Sequence, residues 1–137
     1  MNTNTKQVIL VREDLKMPIG KTGAQTAHAA MLFILHHIGH NVPFTQAQLD
    51  WMYYEKINIK GWEWGGMKKI ILGVKDLEEL TNVVNFAQSM GIEAHLVHDE
   101  GLNTITCAAL GPCLSKELDL VTDHLVPLGK VKRNVGN

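Results

Sequence analysis

Surplus charge is the first thing this chain lacks. Thirteen Lys and Arg face fourteen Asp and Glu, a net charge of −1 with His neutral, which excludes a global electrostatic field as the means of holding nucleic acid or any other anion. Such binding has to come from a local patch. Three groups of cations offer one: Lys16 with Lys21, then Lys56, Lys60, Lys68 and Lys69, then Lys130, Lys132 and Arg133. Cysteine is scarce as well. Cys107 and Cys113 lie six apart without a second pair, so a zinc site is not expected and reduced thiols of a cytosolic protein are. No apolar run approaches bilayer length, no cationic-then-apolar leader opens the chain, and no internal repeat or low-complexity tract interrupts it. These absences point to a soluble, cytoplasmic protein with no membrane association. A G-x-S-x-G elbow and a convincing Cys/His pair are missing too, so no covalent nucleophile stands out.

What is present fits one globular domain over residues 1–137, with 45% hydrophobic and 20% charged residues to build a single core. A buried strand is expected over Lys6 to Arg12, then a helix from Thr22 to about Ile38 closed by Gly39. Thr45 to Gln48 has the form of a capping box, opening a second helix through Leu49, Trp51, Met52 and Tyr53 toward Lys56. GWEWGG reads as a loop. Met67 to Lys75 is a strand, and Asp76 with Glu79 caps a helix running to Met90 and ended by Gly91. Ile92 to His98 and Thr104 to Leu110 are further strands, and Ser115 caps a last helix that stops before Pro127. The order β-α-α-β-α-β-β-α predicts an α/β fold, a three-layer sandwich with a four-stranded mixed sheet and helices on both faces.

The stretch from Val8 to Ala30, VILVREDLKMPIGKTGAQTAHAA, runs from strand through a Gly/Pro turn into an alanine-rich helix. Unpaired N–H groups and the dipole at a helix start attract anions, and Lys21 at the same spot adds a full positive charge. Lys21, Gln25 and His28, at i, i+4 and i+7, line one stripe of that helix. Ala24, Ala27, Met31, Ile34, Leu35 and Ile38 form the apolar face expected to lie on the sheet, leaving the polar stripe to border a cleft. Gly20-Lys21-Thr22 also matches the end of a phosphate-cradling nucleotide loop. Leu15 stands where that motif needs its first glycine, however, and Asp76 reads better as a helix cap than as a magnesium ligand.

The run Lys16 to Ala30, KMPIGKTGAQTAHAA, resembles the opening signature of the class II peptidyl-tRNA hydrolases. Met90-Gly91-Ile92 followed by Leu96-Val97-His98-Asp99-Glu100-Gly101 resembles that family's strand ending in Asp-Ala-Gly. Thr106 to Pro112, TCAALGP, resembles its closing strand and Gly-Pro turn. The resemblance extends from Lys6 to about Leu128. It implies peptidyl-tRNA as substrate and partner, with neither a metal nor an organic cofactor, and it leaves a homodimer open. Hydrolysis of the ester between peptide and tRNA needs a positioned water, a group to orient or deprotonate it, and donors for the tetrahedral oxyanion. The resemblance implies Asp99 for the water, Lys21 for the oxyanion or a phosphate, and Thr106 for holding water or ester, with Gln25, His28, Lys16 and Asn103 as substrate contacts. It also implies one crevice shared by Lys21 and Asp99, the arrangement that results if the first and third main strands are parallel neighbours.

The chain departs from the family pattern in one loop. Leu102 and Asn103 replace a basic residue and a threonine, Glu100 replaces a small alanine, a few loop residues before Thr106 are missing, and Ile19 stands where relatives carry lysine. Each change removes positive charge or a hydroxyl. The residues therefore support two readings, an esterase of peptidyl-tRNA and a relative that binds tRNA or protein without turnover. His36 and His40 can meet on one helix face, but no carboxylate is near them in sequence, and they read with His37 as a polar helix end rather than a metal site. Trp62 and Trp64 read as loop anchors before they read as base-stacking faces.

Overall fold

The computed structural model describes residues 4–55, 62–64 and 66–131. Lys56, Lys60, Lys132 and Arg133 lie outside the described residues, as do the side chains of Trp62 and Trp64.

The chain begins with β1 (Thr5–Arg12), whose apolar run Val8 to Val11 is completely shielded from solvent. Helices α1 (Ile19–Gly39) and α2 (Gln46–Met52) follow, then a two-stranded antiparallel ribbon of β2 (Tyr53–Glu55) and β3 (Trp62–Trp64). β4 (Lys69–Val74), α3 (Leu77–Ser89), β5 (Ala94–Asp99), β6 (Thr104–Leu114) and α4 (Ser115–Thr122) complete the order. The main sheet runs β4-β1-β6-β5, with β1 parallel to β4 and antiparallel to β6. This is the expected four-stranded mixed sheet.

Strand alternation divides the core in two. Val8, Leu10, Leu72, Val74, Ala108 and Leu110 face Leu80, Val83, Val84 and Ala87 of α3 and Leu118 and Val121 of α4. Ile9, Val11, Val97, Cys107 and Ala109 point the other way, onto Ala29 and Ala30 of α1. Both faces are thus covered.

Three expectations change in detail. α1 starts at Ile19 rather than Thr22, because Pro18 occupies the N-cap position and the Thr22 N–H already donates to its carbonyl at 2.9 Å. α2 keeps its capping box, with Thr45 and Gln48 exchanging both hydrogen bonds, but ends at Met52; the chain then pairs Tyr53–Glu55 with Trp62–Trp64, so GWEWGG is partly strand. Ser115 begins α4 as its first residue, the cap position falling to Leu114, and no side-chain bond closes that end.

The fourth change matters most. The face of α1 on the sheet is made by Gln25, Ala29, Ala30, Phe33 and His37, not by the expected apolar stripe. Ala24, Ala27, Met31, Leu35 and Ile38 are exposed, and Ile34 is half-buried. Two polar side chains go inward because each finds partners there. Gln25 bonds to Asp99 and Thr106, and His37 Nε2 meets Glu93 Oε1 at 2.7 Å while its Nδ1 faces the Val42 and Pro43 carbonyls.

Candidate active site

Two chain segments meet beyond the ends of β1 and β5. The first turn of α1 brings Lys21, and one turn later Gln25 follows on the same side. From the other direction β5 ends on Asp99, and the turn of residues 100–103 returns the chain to Thr104.

Asp99 collects three donors. Lys21 Nζ lies 3.0 Å and Gln25 Nε2 3.2 Å from Oδ2, and the backbone N–H of Leu102 donates to Oδ1 at 2.7 Å. A Cβ at Gly101 would stand 3.2 Å from Oδ1, so glycine there leaves the carboxylate room to turn back on its own loop. The Leu102 N–H, followed by the Lys21 ammonium, holds the Asp99 carboxyl below its ordinary value. Asp99 is therefore an anion at neutral pH. A carboxylate so stabilised is a weak base, better suited to accepting a hydrogen bond from water than to removing its proton outright.

Behind this pair sits Thr106, fully buried in β6. Its hydroxyl donates to Gln25 Oε1. A carboxylate only accepts, so the Gln25 amide NH2 must face Asp99, and its carbonyl oxygen is left for Thr106. Thr106, Gln25 and Asp99 thus form one directed chain from the core to the surface, ending on Lys21.

The sequence-derived set is only partly brought together. Lys21, Gln25, Asp99 and Thr106 are joined by hydrogen bonds. His28 is exposed on α1, Lys16 is exposed in the preceding turn, and Asn103 is exposed with φ of 53°. None of these three hydrogen-bonds to the group. Asn103 instead donates its N–H to the Glu100 carbonyl at 3.2 Å, as a turn residue does. β1 and β5 are not neighbours either, because β6 lies between them. Lys21 reaches Asp99 because α1 crosses that face of the sheet, over β6 to β5.

Sequence reasoning missed Arg12. Buried at the end of β1, it forks onto Asp14 through Nε and Nη2 at 3.0 and 2.7 Å and reaches Thr104 Oγ1 and the Ile105 carbonyl through Nη1 at 2.8 and 3.0 Å. Hydrogen bonding to Asp14 raises the Arg12 pKa, and the same bonds lower that of Asp14. Thr104 is the register partner of Asp99, so Arg12 ties the turn that leads to α1 to the hairpin that presents the carboxylate. The signal available was a charged pair directly after a buried strand.

A second polar cluster lies at the other end of α1. Glu93 accepts from His95 at 2.6 Å and Gln48 at 2.8 Å as well as from His37. The rings of His36 and His40 stand 4.6 Å apart, and those of His36 and His95 5.2 Å apart. Among the described residues, no group of three His, Cys, Asp or Glu is arranged to hold a metal ion.

Comparison with known proteins shows the family of the chain. The family model for peptidyl-tRNA hydrolase PTH2 matches residues 5–128. A peptidyl-tRNA hydrolase of Methanothermobacter thermautotrophicus is 37% identical over 125 residues, covering 88% of this chain and 96% of its own. One from Methanopyrus kandleri is 36% identical over 125 residues, covering 88% and 95%. A solved protein of unknown function from Agrobacterium tumefaciens strain C58 shares the fold with a TM-score of 0.55 at 14% identity, over 90% of this chain and 97% of that one. With its whole sheet and both site segments inside the matched region, this chain belongs to the peptidyl-tRNA hydrolase PTH2 family.

Proposed function

We infer that this chain hydrolyses the ester joining a peptide, or an N-blocked amino acid, to the 3′ ribose of tRNA. The observation that carries the reading is the Lys21–Asp99–Gln25 group in a chain of this family. Asp99 accepts a hydrogen bond from a water and aims its oxygen at the ester carbonyl. Lys21, with one N–H on Asp99 and two further donors, stabilises the oxyanion as the water–carbon bond forms. Collapse of the intermediate breaks the bond from carbon to ribose oxygen. One water proton ends on that oxygen, giving free tRNA and a peptide acid, and no covalent intermediate is needed.

In this reading Thr106 does not touch substrate. It positions Gln25, which in turn fixes the Asp99 carboxylate. Beside the α1 start, an open groove of about 370 Å³ is lined by Arg12, Lys16, Met17, Ile19, Thr22 and Leu128 among others, and Lys16 there can reach a phosphate. His28 is an outer contact for the RNA, whereas Asn103 serves the turn that presents Asp99. The protein acts as one domain over residues 1–137 in the cytoplasm, with peptidyl-tRNA as its partner and room for a homodimer. No helix among the described residues is long and apolar enough to cross a membrane.

Incubation with labelled N-acetyl-aminoacyl-tRNA, with and without EDTA, tests the reading. Release of the blocked amino acid at the same rate in both arms is expected. Tight binding without release contradicts it and makes the chain a binding module.

A further inference from the structure

The groove of about 370 Å³ beside the α1 start has an apolar lining that phosphate binding does not account for. Val11, Met17 and Leu128 contribute to it, and Met17 and Leu128 are half-buried against the core layer that holds Ile9 and Val11. Ile19, the first residue of α1, carries the same lining outward and is 94% exposed. A lone exposed isoleucine is ordinary. One that continues a half-buried apolar surface, two residues before Lys21, borders a groove of the mostly apolar kind that takes small organic groups.

Arg12 connects this groove to the catalytic pair. It lines the groove, and its Nη1 donates at 2.8 Å to Oγ1 of Thr104, the register partner of Asp99. The charges around the groove cancel. The Arg12 guanidinium is forked onto Asp14, and Lys16 is answered by Glu13, which lines the same groove. Lys16 can reach one phosphate from the edge, but a run of phosphates meets no surplus of positive charge there. None of the described lining residues is aromatic, so a base finds no stacking face either. The half of the substrate that suits this lining is the acyl half. Met17, unbranched and adaptable, lets one groove accept apolar side chains of different shape.

We propose that this groove takes the side chain of the amino acid esterified to tRNA, so that the chain favours substrates whose peptide ends in a large apolar residue, with Ile19 as a specificity-determining contact. The inference rests on the hydrolysis proposed above and adds which acyl group that site prefers. A volume of about 370 Å³ is near the lower end of ligand sites, roughly 300–1,000 Å³, and gives room for one large side chain rather than a length of peptide. The contact is made away from the reacting carbonyl and is the same before and during reaction, so it lowers KM more than it raises kcat.

One tRNA body charged in turn with N-acetyl-leucine, N-acetyl-phenylalanine, N-acetyl-glycine and N-acetyl-aspartate tests the inference. Each enzymatic kcat/KM is divided by the uncatalysed rate for the same ester, which removes differences in intrinsic reactivity. The leucine and phenylalanine esters are expected to exceed the glycine and aspartate esters by about tenfold or more, chiefly through KM. Ile19→Ser, a change at an exposed position that a thermal melt should show folded, is expected to narrow that ratio at least about threefold through loss on the two large substrates, and Ile19→Leu to keep it. Equal corrected rates for all four esters overturn the inference and leave hydrolysis standing. Ile19→Ser slowing all four alike also overturns it, giving the groove to the tRNA end. Release from none of the four overturns the hydrolytic reading itself, and this inference with it.

Discussion

Lys21 Nζ and Asp99 Oδ2 meet at 3.0 Å although the strands that lead to them, β1 and β5, are held apart by β6. The helix bridges what the sheet separates. Its first turn supplies the cation, its second turn supplies Gln25 to the same carboxylate oxygen, and Thr106 on the intervening strand anchors that glutamine from below. Each strand of the sheet's β5 half therefore contributes to the site, and α1 is the piece that unites them.

Removing the cation should damage turnover without unfolding the protein. Lys21 is half-exposed at a helix start, so Lys21→Ala is expected to lower kcat/KM at least about a hundredfold, the usual loss of one donor to an oxyanion. Steady-state rates beside a thermal melt check this. A folded variant with native rate would remove Lys21 from the chemistry.

Thr106 and Gln25 should act as one unit. Thr106→Val leaves Gln25 Oε1 without its donor, and Gln25→Leu removes the link to Asp99 altogether. Each alone is expected to cost roughly tenfold in kcat, and the pair together little more than the worse single variant, because both act through the same carboxylate. Fully multiplicative losses would show that they act independently.

How much of this was legible beforehand depends on the range of the forces involved. Lys21 and Gln25 could be placed by helical spacing, and the Thr45–Gln48 and Asp76–Glu79 caps by local hydrogen bonding. The inward face of α1 could not be read. Two stripes had the right period, and the more apolar one lost because Gln25 and His37 find partners in Asp99, Thr106 and Glu93, all more than fifty residues away. The same holds for Arg12, whose partners on β6 are visible only once the sheet is assembled. Strand pairing between 53–55 and 62–64 likewise depends on partners that composition does not reveal.

Asn103 should prove to be a turn residue. Its left-handed φ of 53° is easy for glycine, tolerable for asparagine and strained for a β-branched side chain. Asn103→Gly is expected to keep both Tm and turnover. Asn103→Thr should lose about 1 kcal/mol or more of stability. Calorimetry on the two variants decides, and a stable, more active threonine variant would instead make this position a substrate contact.

The cluster around Glu93 should make stability depend on pH. Burial opposes the charge on His37, but the hydrogen bond and charge of Glu93 outweigh it and raise the imidazole above its ordinary 6.5. Burial likewise opposes ionisation of Glu93, and donation from His95, His37 and Gln48 outweighs it, holding that carboxyl below its ordinary 4.5. The His37 contribution is complete below 6.5 and fades as pH rises through the raised value; that of Glu93 is complete above 4.5 and fades as pH falls through the lowered one. The Tm difference between native protein and Glu93→Gln should therefore be widest between those two values and narrow toward alkaline pH. A difference that is constant from acid to alkali would dissociate the cluster from stability.

The most direct test of the account is the separation of binding from turnover in Asp99→Asn. The amide keeps the shape of the carboxylate but brings donors of its own toward Lys21 and lacks the charge that orients water. Single-turnover hydrolysis of N-acetyl-aminoacyl-tRNA should fall at least about a hundredfold, while the affinity for the same tRNA, measured by filter binding, stays within about threefold and the melt is retained. Native turnover in the folded variant, or a loss of affinity equal to the loss of rate, would contradict the role given to Asp99 and with it the account of this site.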